Sequence, residues 1–65
     1  MSEVSIEIGN RIRNFRKKRS ITIEELARLI NKSRATVSKY EKGEIVLDIV
    51  TMYEIADALQ LHVEQ

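Results

Sequence analysis

Cysteine, proline and long apolar runs are absent from this sequence of 65 residues, and each absence excludes a class of protein. Without cysteine there is no disulfide and no thiolate metal site, which suits the reducing cytosol. Without proline and with only two glycines, the composition favours helices over strands. No segment approaches the roughly 20 apolar residues that cross a bilayer, and the first residues, "MSEVSIEIGN", have neither the basic start nor the apolar run of a signal peptide. We expect an all-α cytoplasmic protein without membrane contact.

The length predicts a single small core. A chain of this size buries only about 60% of its unfolded surface and is marginally stable unless it is well packed or oligomeric. We therefore interpret residues 1–65 as one domain, either complete or the N-terminal part of a longer chain. The only histidine, His62, stands near the end of the chain, and no glycine-rich phosphate loop is present. An enzyme is not expected, nor a metal, another cofactor or a small-molecule substrate.

Charge is distributed very unevenly along the chain. All eleven basic residues lie between Arg11 and Lys42, so residues 1–43 carry a net charge of +6. Residues 44–65 contain five acids and no base, for a net charge of −5. Such a dipole steers a polyanion toward one face of the molecule and away from the other. The alternative is an ordinary solvated surface.

Apolar spacing and capping signals predict four helices. The first runs from about Ser5 to Lys18, and the second begins after Thr22, which with Glu25 has the capping-box pattern. A tight turn through "NKSR" leads to a third helix that ends at Gly43. After a connector that places Ile45 or Leu47 in the core, Asp48 caps the fourth. The residues expected on buried faces are Ile8, Ile12, Phe15, Leu26, Leu29, Ile30, Ile49, Met52, Ile55, Ala56 and Leu59.

The third helix places an acid on its apolar side. At about 100° per residue, Glu41 falls in the same sector as Val37 and Tyr40, while the small and basic side chains occupy the opposite one. An inward carboxylate is costly without a partner, so a basic partner is expected elsewhere in the chain.

The segments "RIRNFR", "EELA", "S-x-x-x-x-S-x-Y-E-x-G" and "IADAL", in this order between Ile8 and Leu61, resemble the helix-turn-helix family of phage repressors and Cro proteins. The resemblance implies a compact domain of four or five helices, in which the second and third form the helix-turn-helix and the third enters the major groove of DNA. It therefore implies a transcriptional regulator that binds double-stranded DNA in a sequence-specific manner, with the recognition helix at about Arg34 to Lys42.

The resemblance also supplies the partner of Glu41. In this family an arginine late in the first helix commonly pairs with a glutamate at this position of the third, and the matching residue here is Arg16. Arg16 lies near Ile12 on the helix wheel, at the margin of the apolar face. The two side chains are expected to form a structural ion pair; the alternative is a loose surface contact.

Other positions are carried over from the family as DNA contacts. The positions expected to face bases are Arg34, Ala35, Ser38 and Lys39, and those expected to face phosphates are Thr22, Thr36 and Lys42. Two residues depart from the family pattern. Ile23 stands where many relatives have a DNA-contacting glutamine, and Lys32 replaces an apolar residue and is expected to supply a phosphate contact instead.

Two features leave alternatives open. Ile23 makes conceivable a protein-interaction or antitoxin-like module that keeps the fold with weak or no DNA contact. Relatives often form dimers through the region at which this sequence ends, so that two recognition helices reach two half-sites. We therefore expect a homodimer on DNA whose contacts include Val50, Leu61 and Val63.

Overall fold

The computed structural model describes residues 2–60, which form four helices and no strand. The helices are α1 (Glu3–Lys18), α2 (Ile23–Leu29), α3 (Arg34–Lys42) and α4 (Ile49–Ala58). The all-α prediction with a helix-turn-helix is confirmed. Helix α1 begins two residues earlier than predicted, because the Ser2 hydroxyl accepts the Ser5 N–H at 3.0 Å and so caps the helix at its start.

Local side-chain bonds set the bounds of the two helices in the motif. The Thr22 hydroxyl accepts the Glu25 N–H at 3.1 Å, and the Glu25 carboxylate accepts the Thr22 N–H at 3.0 Å, which completes the predicted capping box. Ser33 caps α3 by accepting the Thr36 N–H at 3.1 Å. Gly43, with φ +75°, ends α3 in the left-handed region.

The core lies where α3 meets α1 and α2 and where α2 meets α4. Leu26, Val37 and Leu59 are fully buried and form its centre. Leu47 of the connector packs against the core, as one of the two predicted alternatives. The remaining buried apolar residues are Ile12, Ala27, Ile30, Tyr40 and Ile55.

The predicted buried face of α2 is wrong at Leu29, whose surface is 61% exposed. Ala27 takes the inward position together with Leu26 and Ile30. Leu29 follows Ala27 by about 200° of rotation and therefore points to the opposite side of the helix.

The predicted core face of α4 is wrong at Ile49 and Met52. Ile49 is 69% exposed and Met52 is also on the surface, whereas Thr51 is buried beside Ile55. Apolar residues surround much of this helix, so their spacing did not distinguish the side that packs inward. Helix α4 consequently has a second, exposed apolar face, formed by Ile49, Met52 and Tyr53 and bordered by the half-buried Ala56.

Helices α1 and α3 approach each other most closely at Gly9. A Cβ atom at this position would lie 2.5 Å from the Glu41 carbonyl oxygen and against the Tyr40 carbonyl oxygen as well. Any larger residue would push the two backbones apart. The absence of a side chain at Gly9 therefore sets how deeply α3 sits against α1.

Candidate nucleic-acid interface

The outward side of α3 carries the side chains that the sequence assigned to base contacts. Arg34, Ala35 and Lys39 are exposed and Ser38 is half-buried. Val37, Tyr40 and Glu41 occupy the buried side of the same helix. The nine-residue helix is thus divided between a packed face and a face with small and basic side chains that is open to a partner.

A bidentate ion pair between Arg16 and Glu41 holds α3 against α1. The Arg16 Nε lies 2.6 Å from Glu41 Oε2, and its Nη2 lies 3.1 Å from Oε1. The two side chains are only 12% and 7% exposed. The hydrogen bond and the charge of Glu41 raise the pKa of Arg16 above its ordinary value, although burial opposes this shift. Arg16 consequently keeps its positive charge although it is largely buried.

Arg16 also links this pair to the start of α2. Its Nη1 donates to the Ile21 carbonyl oxygen at 3.0 Å, just before the Thr22 cap. Among the described residues, no buried side-chain nitrogen or oxygen lacks a hydrogen-bond partner. One guanidinium therefore fixes α1, the loop before α2 and α3 relative to one another.

Two of the four side chains expected to meet phosphate lie around a cleft at the junction of α1, α2 and α3. Thr22 and Lys42 line this cleft, and Arg34 and Ser38 border it from α3. Thr36 is half-buried, and its Oγ1 accepts the Ser33 hydroxyl at 2.8 Å, so its own hydroxyl hydrogen can still be donated. The cleft has the polar and basic lining that suits an anion.

Two further residues line this cleft, whereas Lys32 is not among its lining residues. Arg13 of α1 lines the same cleft, although it was not among the predicted contacts. It precedes Arg16 by three residues, and this spacing places the two side chains on the same side of a helix. Ile23 also lines the cleft and packs against the core, so it has an apolar role. Lys32 is exposed near Asp48, and its charge contributes a minor part of the lowered pKa of that carboxyl; the bonds from Thr51 contribute more.

Sequence reasoning also missed Glu24, which pairs with Arg34. The Arg34 Nε lies 2.7 Å from Glu24 Oε2, and both side chains are exposed. The backbone N–H of Glu24 itself and then the Arg34 side chain lower the pKa of this carboxyl. The two residues are ten positions apart, and only the turn between α2 and α3 brings them together.

The predicted dimer contacts are described in part. Val50 is exposed on α4, next to the exposed apolar face of that helix. Leu61 and Val63 lie outside the described residues. Within residues 2–60, no cluster of potential metal ligands occurs, and no helix is long and apolar enough to cross a membrane.

A helix-turn-helix with a basic, unpacked face on its second helix is the architecture of a class of DNA-binding proteins. The sequence profile of the helix-turn-helix family matches residues 12–65. The chain belongs to this family, in its phage repressor and Cro type, and is a DNA-binding transcriptional regulator.

A solved structure supports the same assignment. The crystal structure of the restriction-modification controller protein C.AhdI from Aeromonas hydrophila matches with a TM-score of 0.89 and 26% sequence identity. The match covers 94% of this chain and 92% of that one. A comparison with curated proteins gives no significant match.

Proposed function

We propose that this regulator binds double-stranded DNA sequence-specifically, with α3 in the major groove. The observation that carries the proposal is the division of α3: its inner face is fixed by Gly9 and by the buried ion pair, while Arg34, Ala35 and Lys39 on its outer face are exposed. In this arrangement the bases are read by Arg34, Ala35, Ser38 and Lys39, and the phosphates are held by Thr22, Lys32, Thr36 and Lys42.

The chemistry of these side chains fits both tasks. Arg34 and Lys39 can donate to O6 and N7 of guanine, and the Ala35 methyl can contact the methyl group of thymine. Hydroxyl and ammonium groups donate to phosphate oxygens regardless of sequence and set the register of the helix in the groove. The net charge of +6 on residues 1–43 favours the approach of DNA to this half of the molecule.

Selection of binding sites from random duplexes tests the proposal directly. We expect an enriched sequence, and an affinity whose logarithm falls linearly with the logarithm of salt concentration. With about 4 to 6 phosphate contacts per monomer, the slope should be about −4 to −5. Salt-independent binding, or no binding, would instead favour the protein-interaction module. Since a solved relative is a restriction-modification controller, promoters of such genes are the first natural DNA to test.

Substitutions then separate base contacts from phosphate contacts. Lys39→Ala and Arg34→Ala should each cost about 1 to 3 kcal/mol at the selected site and relax base preference, whereas Lys42→Ala should weaken all sequences alike. Arg11→Ala is the matched control for a lost positive charge, because Arg11 is exposed and pairs with Glu7 on α1. Uniform losses on every sequence for Lys39→Ala and Arg34→Ala would refute their assignment.

We also propose that two copies bind DNA together as a homodimer. The exposed apolar face of α4 and the adjacent Val50 support this, since neighbouring exposed apolar side chains favour burial against a partner. Sedimentation over a concentration series should show self-association that Val50→Ser weakens, and that replacement of Leu61 and Val63 by serine weakens further. Identical monomeric behaviour of all three proteins up to millimolar concentration would exclude self-association without DNA.

A further inference from the structure

The first residue of the recognition helix is held by an acid from the preceding helix. Arg34 opens α3, and Glu24 is the second residue of α2. Their side chains meet at 2.7 Å although they are 64% and 58% exposed. An ion pair with this exposure contributes little to the stability of a fold. The position of Glu24 in the first turn of α2 favours an acid whether or not it pairs with Arg34, so the pairing itself is not needed for stability.

The geometry of the contact leaves the recognition end of Arg34 available. A guanidinium has five N–H donors, and Glu24 takes the one on Nε, nearest the stem. Among the described residues, neither terminal nitrogen of Arg34 donates to a protein acceptor. Guanine needs two donors, for O6 and N7, and the two terminal nitrogens can supply them. Glu24 therefore holds the guanidinium by its inner edge and leaves its outer edge for a base.

The charge of Glu24 opposes general DNA binding. The cleft beside it is lined by Arg13, Arg34 and Lys42, which attract phosphate on DNA of any sequence, and by Arg16, whose charge is balanced by Glu41. The Glu24 carboxylate beside these basic side chains reduces their attraction for phosphate. It neutralises part of their positive field and itself repels phosphate. The loss applies to every sequence, whereas a gain from a correctly oriented Arg34 applies only where guanine is present.

We propose that Glu24 is a positioning residue for Arg34, which increases discrimination for guanine at one base pair and lowers affinity for non-cognate DNA. This inference rests on the proposed DNA-binding function. Glu24 would thus act on specificity in two ways. It reduces affinity for DNA of any sequence, and it fixes the orientation of Arg34. An unpaired arginine at the same position would adopt many rotamers and would donate equally well to phosphates.

The test compares Glu24→Gln and Glu24→Ala with wild type on two duplexes of equal length, one with the selected sequence and one with a random sequence. Glu7→Gln is the matched control, because Glu7 also forms an exposed pair with an arginine at 3.0 Å, within α1. We expect Glu24→Gln to raise affinity for the random duplex by about 3- to 10-fold and to lower the ratio of selected to random affinity by about 10-fold. Glu7→Gln should change both affinities much less.

Repeating the site selection with each variant shows whether the effect is local. Preference should relax at the base pair that Arg34→Ala also affects, and remain at the others; in an Arg34→Lys background, Glu24→Gln should produce no further change there. The inference is overturned if Glu24→Gln gives the same profile as Glu7→Gln, or if preference declines evenly at all positions. Failure of wild type to enrich any sequence would overturn the proposed function instead.

Discussion

Replacement of Gly9 by alanine tests whether the approach of α1 to α3 is as tight as the structure shows. The added methyl group would lie 2.5 Å from the Glu41 carbonyl oxygen, where ordinary contact begins at 3.4 Å. The obstacle is backbone, which cannot turn aside as a flexible side chain does. Helix α3 would have to move by about 0.9 Å, the difference between these two distances.

Two opposing effects determine the sign of the change in stability. Alanine is favoured over glycine inside a helix by about 1 kcal/mol. Overpacking of a well-packed contact costs about 1 to 3 kcal/mol and occasionally more, and the upper part of this range applies because backbone must move. We therefore expect Gly9→Ala to destabilise the domain by a net amount of about 1 to 2 kcal/mol, which corresponds to a decrease in Tm of about 4 to 15 °C for a domain of this size.

The assay is urea denaturation followed by circular dichroism, with Asn10→Ala as the control. Asn10 is the next residue of α1 and is exposed, so alanine gains helix propensity there without meeting α3. The control should be neutral or slightly stabilised. If Gly9→Ala were stabilised by about 1 kcal/mol, as helix propensity alone requires, the close approach of the two helices would be refuted.

Further expectations concern the ion pair, a helix end and a cap. In a double-mutant cycle measured by urea denaturation, Arg16→Met and Glu41→Leu should each lower the free energy of unfolding by about 3 to 5 kcal/mol, and the double variant should lose less than the sum of the two. Additive losses would contradict a direct interaction. Ser20, just after α1, has φ 56°, a left-handed conformation that glycine adopts more readily than serine. Ser20→Gly should therefore stabilise the domain by about 0.5 kcal/mol, and a lower Tm on thermal melting would contradict this. The pKa of Asp48 is lowered by the bonds from Thr51, so its stabilising effect is present above the unfolded pKa and is lost as pH falls through the lower, folded value. Asp48→Asn keeps the cap and should reduce this acid dependence; an unchanged pH profile of the unfolding free energy would contradict the assignment.

The start of α2 and both ends of α3 were predictable because their causes are local in the sequence, although the equally local Ser2 cap of α1 was missed. The capping box of Thr22, the Ser33 cap and the glycine at position 43 each act within four residues, and the structure has all three where they were expected. The orientation of α4 was not predictable, because its apolar residues cover more than one face and the small polar Thr51 takes a core position.

The parts of the candidate site that depend on tertiary structure were predictable only with the family resemblance. An inward Glu41 indicated that a partner was needed, but the identity of Arg16 came from the family pattern. Nothing in the spacing of Glu24 and Arg34 shows that they meet, since their contact depends on the turn between two helices. The tight crossing at Gly9 likewise depends on the angle of approach, and a lone glycine inside a helix is only a general signal for it.

Mutations on the two faces of α3 have different consequences in evolution, because only the inner face packs against the rest of the domain. A change at Val37, Tyr40 or Glu41 disturbs the packing of the whole domain and is subject to selection for folding. A change at Ala35 or Lys39 leaves the core intact, because these side chains are exposed. New combinations on the outer face can therefore arise one substitution at a time while each intermediate still folds. Under the proposed function, descendants of such a gene can diverge in the DNA that they recognise while they inherit the same scaffold.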